Sequence, residues 1–205
     1  MILLSYVLSR LENYTSLTVL FEPKDITDIH LLRLVNKIFC KIQNLTYLEI
    51  DLAKCKITDR PFLVLCNEFL TQGTSLESLI LQLGYSKISD QGLVALGKCV
   101  QTLRRPFEKF SLGLTKTEIT DSGIEKAFAL LEKARVLEIY IQRTKITDKS
   151  LKTLGMSVLQ YIDGLEDFKL DASKTGVSDE GVKEIFKGLQ KTVKAIEIKC
   201  VGTKL

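Results

Sequence analysis

Residues that could perform catalysis are few in this chain of 205 residues. His30 is the only histidine, so a Ser–His or Cys–His dyad would depend on this one side chain. Carboxylates are more frequent, and five of them stand at alternating positions in short apolar runs: Glu49, Asp51, Glu138, Asp171 and Glu197. A pair of carboxylates can do acid–base chemistry, but only where a pocket shifts their pKa. The sequence has no phosphate-binding glycine loop, metal cluster or nucleotide fingerprint. We therefore expect no enzymatic activity, no metal, no cofactor and no small-molecule substrate.

Basic residues form the second group with a regular placement. They occur directly before or after the small residues Cys55, Ser86, Thr117, Thr144, Thr175 and Thr203. The members are Lys54, Lys56, Lys87, Lys116, Arg143, Lys145, Lys174 and Lys204, eight of the 29 Lys and Arg residues of the chain. We call this set the basic rim. It would attract an acidic protein segment or a phosphate backbone over a long range.

Two considerations limit what the basic rim can be predicted to do. Nucleic acid is disfavoured as a partner, because aromatic stacking residues are missing apart from Tyr85 and Tyr140. An internal explanation also stays open, in which nearby aspartates neutralise the rim. These aspartates are Asp28, Asp59, Asp90, Asp121, Asp148 and Asp179, which we call the Asp column.

A recurring phrase indicates how these residues are positioned. Ile-Thr-Asp or a close variant begins at Ile26, Ile57, Ile88, Ile119, Ile146 and Val177, with spacings of 31, 31, 31, 27 and 31 residues. Nine positions before each phrase stands a Leu or Phe. Self-similarity at such a period is typical of a solenoid.

Each unit is predicted to contain a strand, a bend and a helix. In Leu48-Glu-Ile50-Asp-Leu52 the large residues alternate, which places them on one face of a strand. Strands are expected near 17–21, 48–52, 79–83, 110–114, 137–141, 168–172 and 196–200. Thr or Ser followed by Asp predicts a capped helix start, and the 27-residue unit predicts a shorter helix through Glu125–Lys133. Residues 1–205 are predicted to form one repeat domain, with 1–16 as an incomplete first unit.

The repeat resembles the leucine-rich repeats of the ribonuclease-inhibitor-like type. Their phrase Leu-x-x-Leu-x-Leu-x-x-Asn/Cys-x-Leu is matched by Leu45, Leu48, Ile50, Cys55 and Ile57, and the pattern covers nearly the whole chain. The strands are longer than in the family, as in variants associated with protists, and the Asn/Cys position mostly holds Thr. The resemblance implies an α/β solenoid with a curved parallel sheet on the concave side and helices on the convex side. Packing distances agree, since strands stack more closely than helices and must line the inside of an arc.

The outward strand residues are the predicted recognition surface of a protein-interaction scaffold. They are Glu49, Asp51, Ile80, Gln82, Glu138, Tyr140, Lys169 and Asp171. Ile80 and Tyr140 are the expected anchors, because binding energy concentrates in large apolar and aromatic groups. The partner is expected to be a protein, with an acidic one favoured by the basic rim.

A second function class follows from the resemblance. Some activators of small GTPases are built from similar repeats, so a regulator of that kind is the alternative. Arg143 is the only arginine of the basic rim and would be the candidate for an inserted finger. The acidic tail that such activators often carry is missing from this sequence.

Composition predicts the environment. The five cysteines have no paired spacing, which favours reduced thiols in the cytoplasm, with cytoskeletal or ciliary association as an open alternative. The apolar start, 1–8, is too short to cross a bilayer, so no membrane insertion is expected. The final strand would leave an open edge, which predicts a longer repeat protein or an assembly.

Overall fold

The computed structural model describes residues 14–22, 26–39, 42, 44–72, 75–103, 106–129, 131–189 and 192–203. Strands and helices alternate along these residues. The strands are β1 (Ser16–Leu20), β2 (Tyr47–Asp51), β3 (Ser78–Gln82), β4 (Phe107–Gly113), β5 (Ala134–Tyr140), β6 (Asp167–Asp171) and β7 (Ala195–Lys199). The helices are α1 (Asp28–Lys37), α2 (Asp59–Val64), α3 (Asp90–Thr102), α4 (Asp121–Phe128), α5 (Asp148–Thr153) and α6 (Asp179–Gly188). Helices α2 and α5 continue into π-helical turns over Leu65–Phe69 and Leu154–Leu159.

The seven strands form one parallel sheet in sequence order. Equivalent residues of neighbouring units are paired, as Leu48 is with Leu79 and Leu137 with Phe168. Every strand begins earlier than predicted, by one residue in most units and by three in β4 and β5. The two longer strands gain an extra pair because Phe107 lies opposite Ala134. Most of the predicted incomplete unit, 1–13, lies outside the described residues.

The core lies between the sheet and the helices. Alternation along each strand turns one set of side chains inward, so that Leu48, Ile50 and Leu52 are almost completely buried. Phe168 is completely buried as well. Aromatic residues of successive units stack directly, with the ring centroids of Phe39 and Phe69 4.9 Å apart. Each unit therefore buries its apolar face against its neighbours.

Each helix start is joined to the preceding unit through the Asp column. Asp28, Asp59, Asp90, Asp121 and Asp148 each accept a backbone N–H at 2.7–2.9 Å from the Thr or Ser that begins the next unit's helix. The second carboxylate oxygen accepts the hydroxyl of the same residue at 2.5–2.6 Å. Within its own unit, a helix is capped by the Thr or Ser before the aspartate. Ser89 Oγ, for example, accepts the Gln91 N–H. The Asp side chains thus link units, a role that the sequence pattern did not predict.

The hydrogen bonds between the Asp column and the next helix start explain the glycine that stands two residues after the aspartate in several units. A Cβ atom added to Gly123 would lie 2.3 Å from Asp90 Oδ1, so no larger residue fits while the carboxylate stays in place. Where this position holds Ser150, the hydroxyl donates a hydrogen bond to Asp121 instead. The glycine or serine therefore depends on a residue one unit away.

The helix of the 27-residue unit differs from its predicted bounds. Helix α4 ends at Phe128, so the predicted helix through Glu125–Lys133 is wrong in its second half. Lys133 instead forms an isolated β-bridge with Asp163, and its carbonyl accepts the Phe107 N–H. With four residues fewer, the chain turns back to the sheet directly after the short helix. Helix α4 also lies close to α3, where a Cβ atom on Gly97 would be 2.6 Å from the Ala127 carbonyl oxygen.

The last unit differs from the others in exposure. Strand β7 pairs with β6, but its first inward residue, Ile196, is 45% exposed, and Phe186 on α6 is also exposed. Within the described part of the chain, no helix has the length and apolar character needed to cross a membrane.

Candidate interaction surface

The loops that follow the strands hold five long side chains in an uncommon backbone conformation. Immediately before each small residue of the bend, φ is positive, at 55–62°. The residues are Lys54, Tyr85, Lys116, Arg143 and Lys174, which we call the left-handed row. In the last unit the same position holds Gly202, with φ of 70°. Residues other than glycine rarely adopt this conformation, because the Cβ atom crowds the following carbonyl group.

Hydrogen bonds on both sides hold the left-handed row in place. The backbone N–H of each member donates to a carbonyl of the next unit, at 2.7 Å from Lys54 to Gly84 and 2.8 Å from Lys116 to Gln142. The small residue that follows donates its hydroxyl to the carbonyl three residues earlier, as Thr117 does to Leu114 at 2.7 Å. The same bond to a loop carbonyl forms at Ser86, Thr117, Thr144, Thr175 and Thr203.

A second row runs beside the first. Lys56, Lys87, Glu118 and Lys145 follow the small residues, and we call them the outer row. Their backbone N–H groups donate to carbonyls of the preceding unit, for example Lys87 to Ile57 at 2.9 Å. Their side chains are all exposed. The described members of the basic rim therefore lie in two parallel rows; Lys204 lies outside the described residues.

The rim cations are free of ion pairs with the residues that the structure describes. The alternative that stayed open, in which the Asp column neutralises the rim, is not seen as direct pairing: no described aspartate of the column forms an ion pair with a rim cation, and five of the six bind the helix starts of the next units. Lysines elsewhere do pair with carboxylates, as Lys194 does with Glu166 at 2.9 Å. The rim thus presents charge to its surroundings rather than to the fold.

Tyr85 also lies on the rim, although the rim predicted from the sequence included basic residues alone. Its ring lies between two lysines, with Lys54 Nζ 6.0 Å and Lys116 Nζ 5.3 Å from the ring centroid. The side chain is 44% exposed. Its position before Ser86 was a usable signal, since that is the position of Lys54 before Cys55.

Two rows of outward strand residues on the sheet contain the predicted recognition residues, and together we call them the strand face. The first row comprises Thr18, Glu49, Ile80, Ser111, Glu138, Lys169 and Glu197, paired in register. The second row comprises Leu20, Asp51, Gln82, Gly113, Tyr140, Asp171 and Lys199. All eight predicted recognition residues lie on this face, although their surroundings differ.

Glu138 is less available than its outward position indicated. It is only 7% exposed and pairs with Lys109 at 3.0 Å and Lys169 at 3.4 Å, which belong to the two neighbouring strands. Burial opposes ionisation, but hydrogen bonds from Lys109 and Ser111 outweigh it and hold the pKa of Glu138 below its ordinary value. The hydrogen bond to Glu138 raises the pKa of Lys169. Glu138 and Lys169 therefore already form an ion pair with each other within the sheet.

The middle of the strand face is closed by small residues. Ser111 is 2% exposed and Gly113 is buried. The Gln82 side chain lies over Gly113, so close that a Cβ atom there would collide with Gln82 Oε1. Ile80 and Tyr140, both partly exposed, flank this closed strip from β3 and β5. The predicted anchors are thus about 12 Å apart, because two strand spacings and two residues along the strand separate them.

A shallow depression lies at one end of the strand face. It has a volume of about 90 Å³ and is lined by Tyr140, Lys169, Leu170, Asp171, Glu197 and Lys199. Pockets that enclose small-molecule ligands usually measure about 300–1,000 Å³. Among the described residues, no group of three or more His, Cys, Asp or Glu could hold a metal ion. His30 binds the start of its own helix, with Nδ1 3.1 Å from Thr27 Oγ1.

No protein-family model and no curated protein matches the chain. Two solved structures from Listeria monocytogenes resemble it. An internalin (InlF) shares 15% identity over 92% of this chain and 48% of its own, with a TM-score of 0.47. An internalin C2 shares 15% identity over 90% of this chain and 80% of its own, with a TM-score of 0.40. The chain spans about half the length of the first structure.

Both scores are low, so the fold assignment rests on the molecule's own geometry. Seven parallel strands stand in sequence order and in constant register, and a helix follows each of the first six. The chain is an α/β leucine-rich-repeat solenoid.

Proposed function

We propose that this chain is a protein-interaction scaffold that binds a partner across the strand face and the adjoining basic rim. The observation that carries the proposal is the continuity of these surfaces. Each strand leads within three residues from the strand face to the left-handed row, from Asp51 to Lys54 and from Tyr140 to Arg143. Backbone hydrogen bonds between units hold both surfaces at a constant spacing. We further infer the ribonuclease-inhibitor-like repeat type, because an α-helix follows each of the first six strands.

Partly exposed large side chains support the strand face as a contact area. Ile80 and Tyr140 present apolar surface on either side of the closed strip. Such residues provide most of the energy in protein interfaces, while surrounding polar groups provide complementarity. Asp51, Gln82 and Asp171 are partly exposed and can fill that second role.

No specific feature favours the GTPase-regulator alternative. Arg143 shares its left-handed conformation and its exposure with Lys116 and Lys174. A catalytic arginine finger would be expected to differ from its neighbours in backbone conformation or in exposure.

Site-specific photo-cross-linking tests the proposal. A benzophenone side chain is placed at Ile80 or Tyr140, and at Tyr161 as a matched control. Tyr161 is 71% exposed and lies on the connection between α5 and β6, away from the strand face. We expect protein adducts from the first two positions in extracts of the native cell, and few from Tyr161. Equal adduct yields at all three positions would overturn the proposal.

A further inference from the structure

We propose that the left-handed row and the outer row together bind an extended acidic segment of a partner protein. This inference rests on the proposed function and names the chemistry of the partner at the basic rim. Three independent observations support it: backbone strain, unpaired charge, and the size and composition of the rows.

The first observation is that long side chains occupy a position where glycine suits the fold better. Glycine adopts positive φ without a steric penalty, and asparagine or aspartate tolerate it best among the others. Gly202 occupies the equivalent position in the last unit, so the bend accepts glycine. Lys, Tyr, Lys, Arg and Lys nevertheless fill the other five described positions. Side chains that are kept against the preference of the backbone point to a role outside folding.

The second observation is the state of the charges. Seven cations of the two rows are exposed: Lys54, Lys56, Lys87, Lys116, Arg143, Lys145 and Lys174. None is within ion-pair distance of a carboxylate in the part of the chain that the structure describes. Glu118 is the one acidic side chain among the described members of these rows. Carboxylates of a partner would therefore meet cations that pair with no described carboxylate, with Glu118 as the one acid among them.

The third observation concerns size and composition. Parallel strands repeat at about 4.8 Å, so the left-handed row from Lys54 to Lys174 covers about 19 Å. An extended peptide advances about 3.3 Å per residue, and about six residues would span the row. Tyr85 offers one aromatic ring near the Lys54 end, which suits one apolar residue beside a run of acids. Single-stranded nucleic acid would need several aromatic platforms for successive bases, and these rows contain one.

Fluorescence anisotropy with a labelled peptide containing six consecutive glutamates tests the proposal. The wild-type chain is compared with the double variant Lys116→Glu/Arg143→Glu. A matched control, Lys98→Glu/Lys152→Glu, makes the same charge change on exposed residues of α3 and α5. We expect at least a tenfold loss of affinity in the rim variant, less than threefold in the control, and a flatter salt dependence in the rim variant. Equal losses in both variants, or no measurable binding by the wild type, would overturn the proposal.

A second pair of substitutions separates recognition from structure. Lys116→Gly/Arg143→Gly removes the side chains and relieves the left-handed strain. We expect the melting temperature to stay constant or rise while peptide affinity falls at least fivefold. A lower melting temperature with unchanged affinity would show that these side chains serve the fold, and would overturn the proposal.

Two further outcomes distinguish the proposals. Tighter binding of an oligouridylate than of the glutamate peptide would overturn the acidic-peptide assignment. Cross-linking at Ile80 and Tyr140 without peptide binding would leave the scaffold proposal standing and remove this inference alone. Peptide binding without strand-face adducts would leave the binding of the acidic segment standing and would remove the strand face from the proposed scaffold.

Discussion

The carboxylate of Asp59 holds Ser89, thirty residues further along the chain, by two hydrogen bonds. Oδ1 accepts the Ser89 backbone N–H at 2.8 Å, and Oδ2 accepts the Ser89 hydroxyl at 2.5 Å. Oδ1 also accepts the Gly92 N–H at 3.1 Å. Asp59 therefore satisfies donors at the start of the next helix that have no partner within that helix.

Removing this carboxylate is expected to destabilise the solenoid. Hydrogen bonds to a charged group contribute about 1.5–3 kcal/mol each and do not add fully, so Asp59→Ala should lower the free energy of unfolding by about 2–4 kcal/mol. Urea denaturation followed by circular dichroism measures the change.

Asp179 provides the matched control within the same column. It is exposed and has no hydrogen bond to a later unit among the described residues. Asp179→Ala should cost less than about 1 kcal/mol, because the interactions lost are those with the helix dipole and with the exposed Lys183. Equal costs for the two variants would contradict the linking role of Asp59.

Asp121 is expected to make stability depend on pH in the acidic range. Burial opposes its ionisation, but hydrogen bonds from Ser150 and Thr147 outweigh this and hold the pKa of Asp121 below its ordinary value of 3.8. The native state therefore binds fewer protons than the unfolded chain in this window, and stability rises with pH there. The contribution of Asp121 is fully present above the ordinary pKa and is lost as pH falls through the folded-state pKa.

Urea titrations of the wild type and Asp121→Asn from about pH 7 down to about pH 2 check this expectation. The difference in unfolding free energy should be largest at neutral pH and should shrink below about pH 4. A difference between wild type and Asp121→Asn that stays constant over the whole range would count against it.

Phe168 and Tyr140 test which side chains of the sheet support the fold. Phe168 is completely buried, so Phe168→Ala should cost about 3–5 kcal/mol. Tyr140 lies on the strand face and is only partly buried, so Tyr140→Ala should cost much less. Comparable losses in a denaturant titration would mean that the strand register is wrong by one residue.

The described cysteines should differ in reactivity. Cys66 and Cys99 are buried; burial raises the pKa of Cys99 to about 12 and that of Cys66 well above its ordinary value. Cys200 is partly exposed, and burial raises its pKa as well. Alkylation with iodoacetamide at about pH 8, followed by peptide mass spectrometry, should modify Cys200 well before Cys66 and Cys99. Similar rates without denaturant would contradict the packing of the buried pair.

The sequence by itself determined the order and register of the strands. Apolar residues at alternate positions, such as Leu48, Ile50 and Leu52, define the inward face locally, and their recurrence defines the partner in the next unit. The observed pairing of Leu48 with Leu79 follows from that period. The placement of Ile80 and Tyr140 on the opposite face follows from the same alternation. These features depend on residues within one unit and on a constant spacing, both of which can be read from the chain.

Only the tertiary structure decided how the units use one another's side chains. The Asp column appeared to be a set of local caps or counter-ions, whereas each carboxylate except that of Asp179 binds the following unit. Glu138 appeared to be free on the surface, yet two lysines of neighbouring strands cover it. The left-handed conformation at Lys116 or Arg143 had no signal in residue type, because lysine and arginine do not favour it. The bend and the carbonyl of the next unit impose that conformation, so it depends on contacts between residues 26–30 positions apart, which no local pattern records.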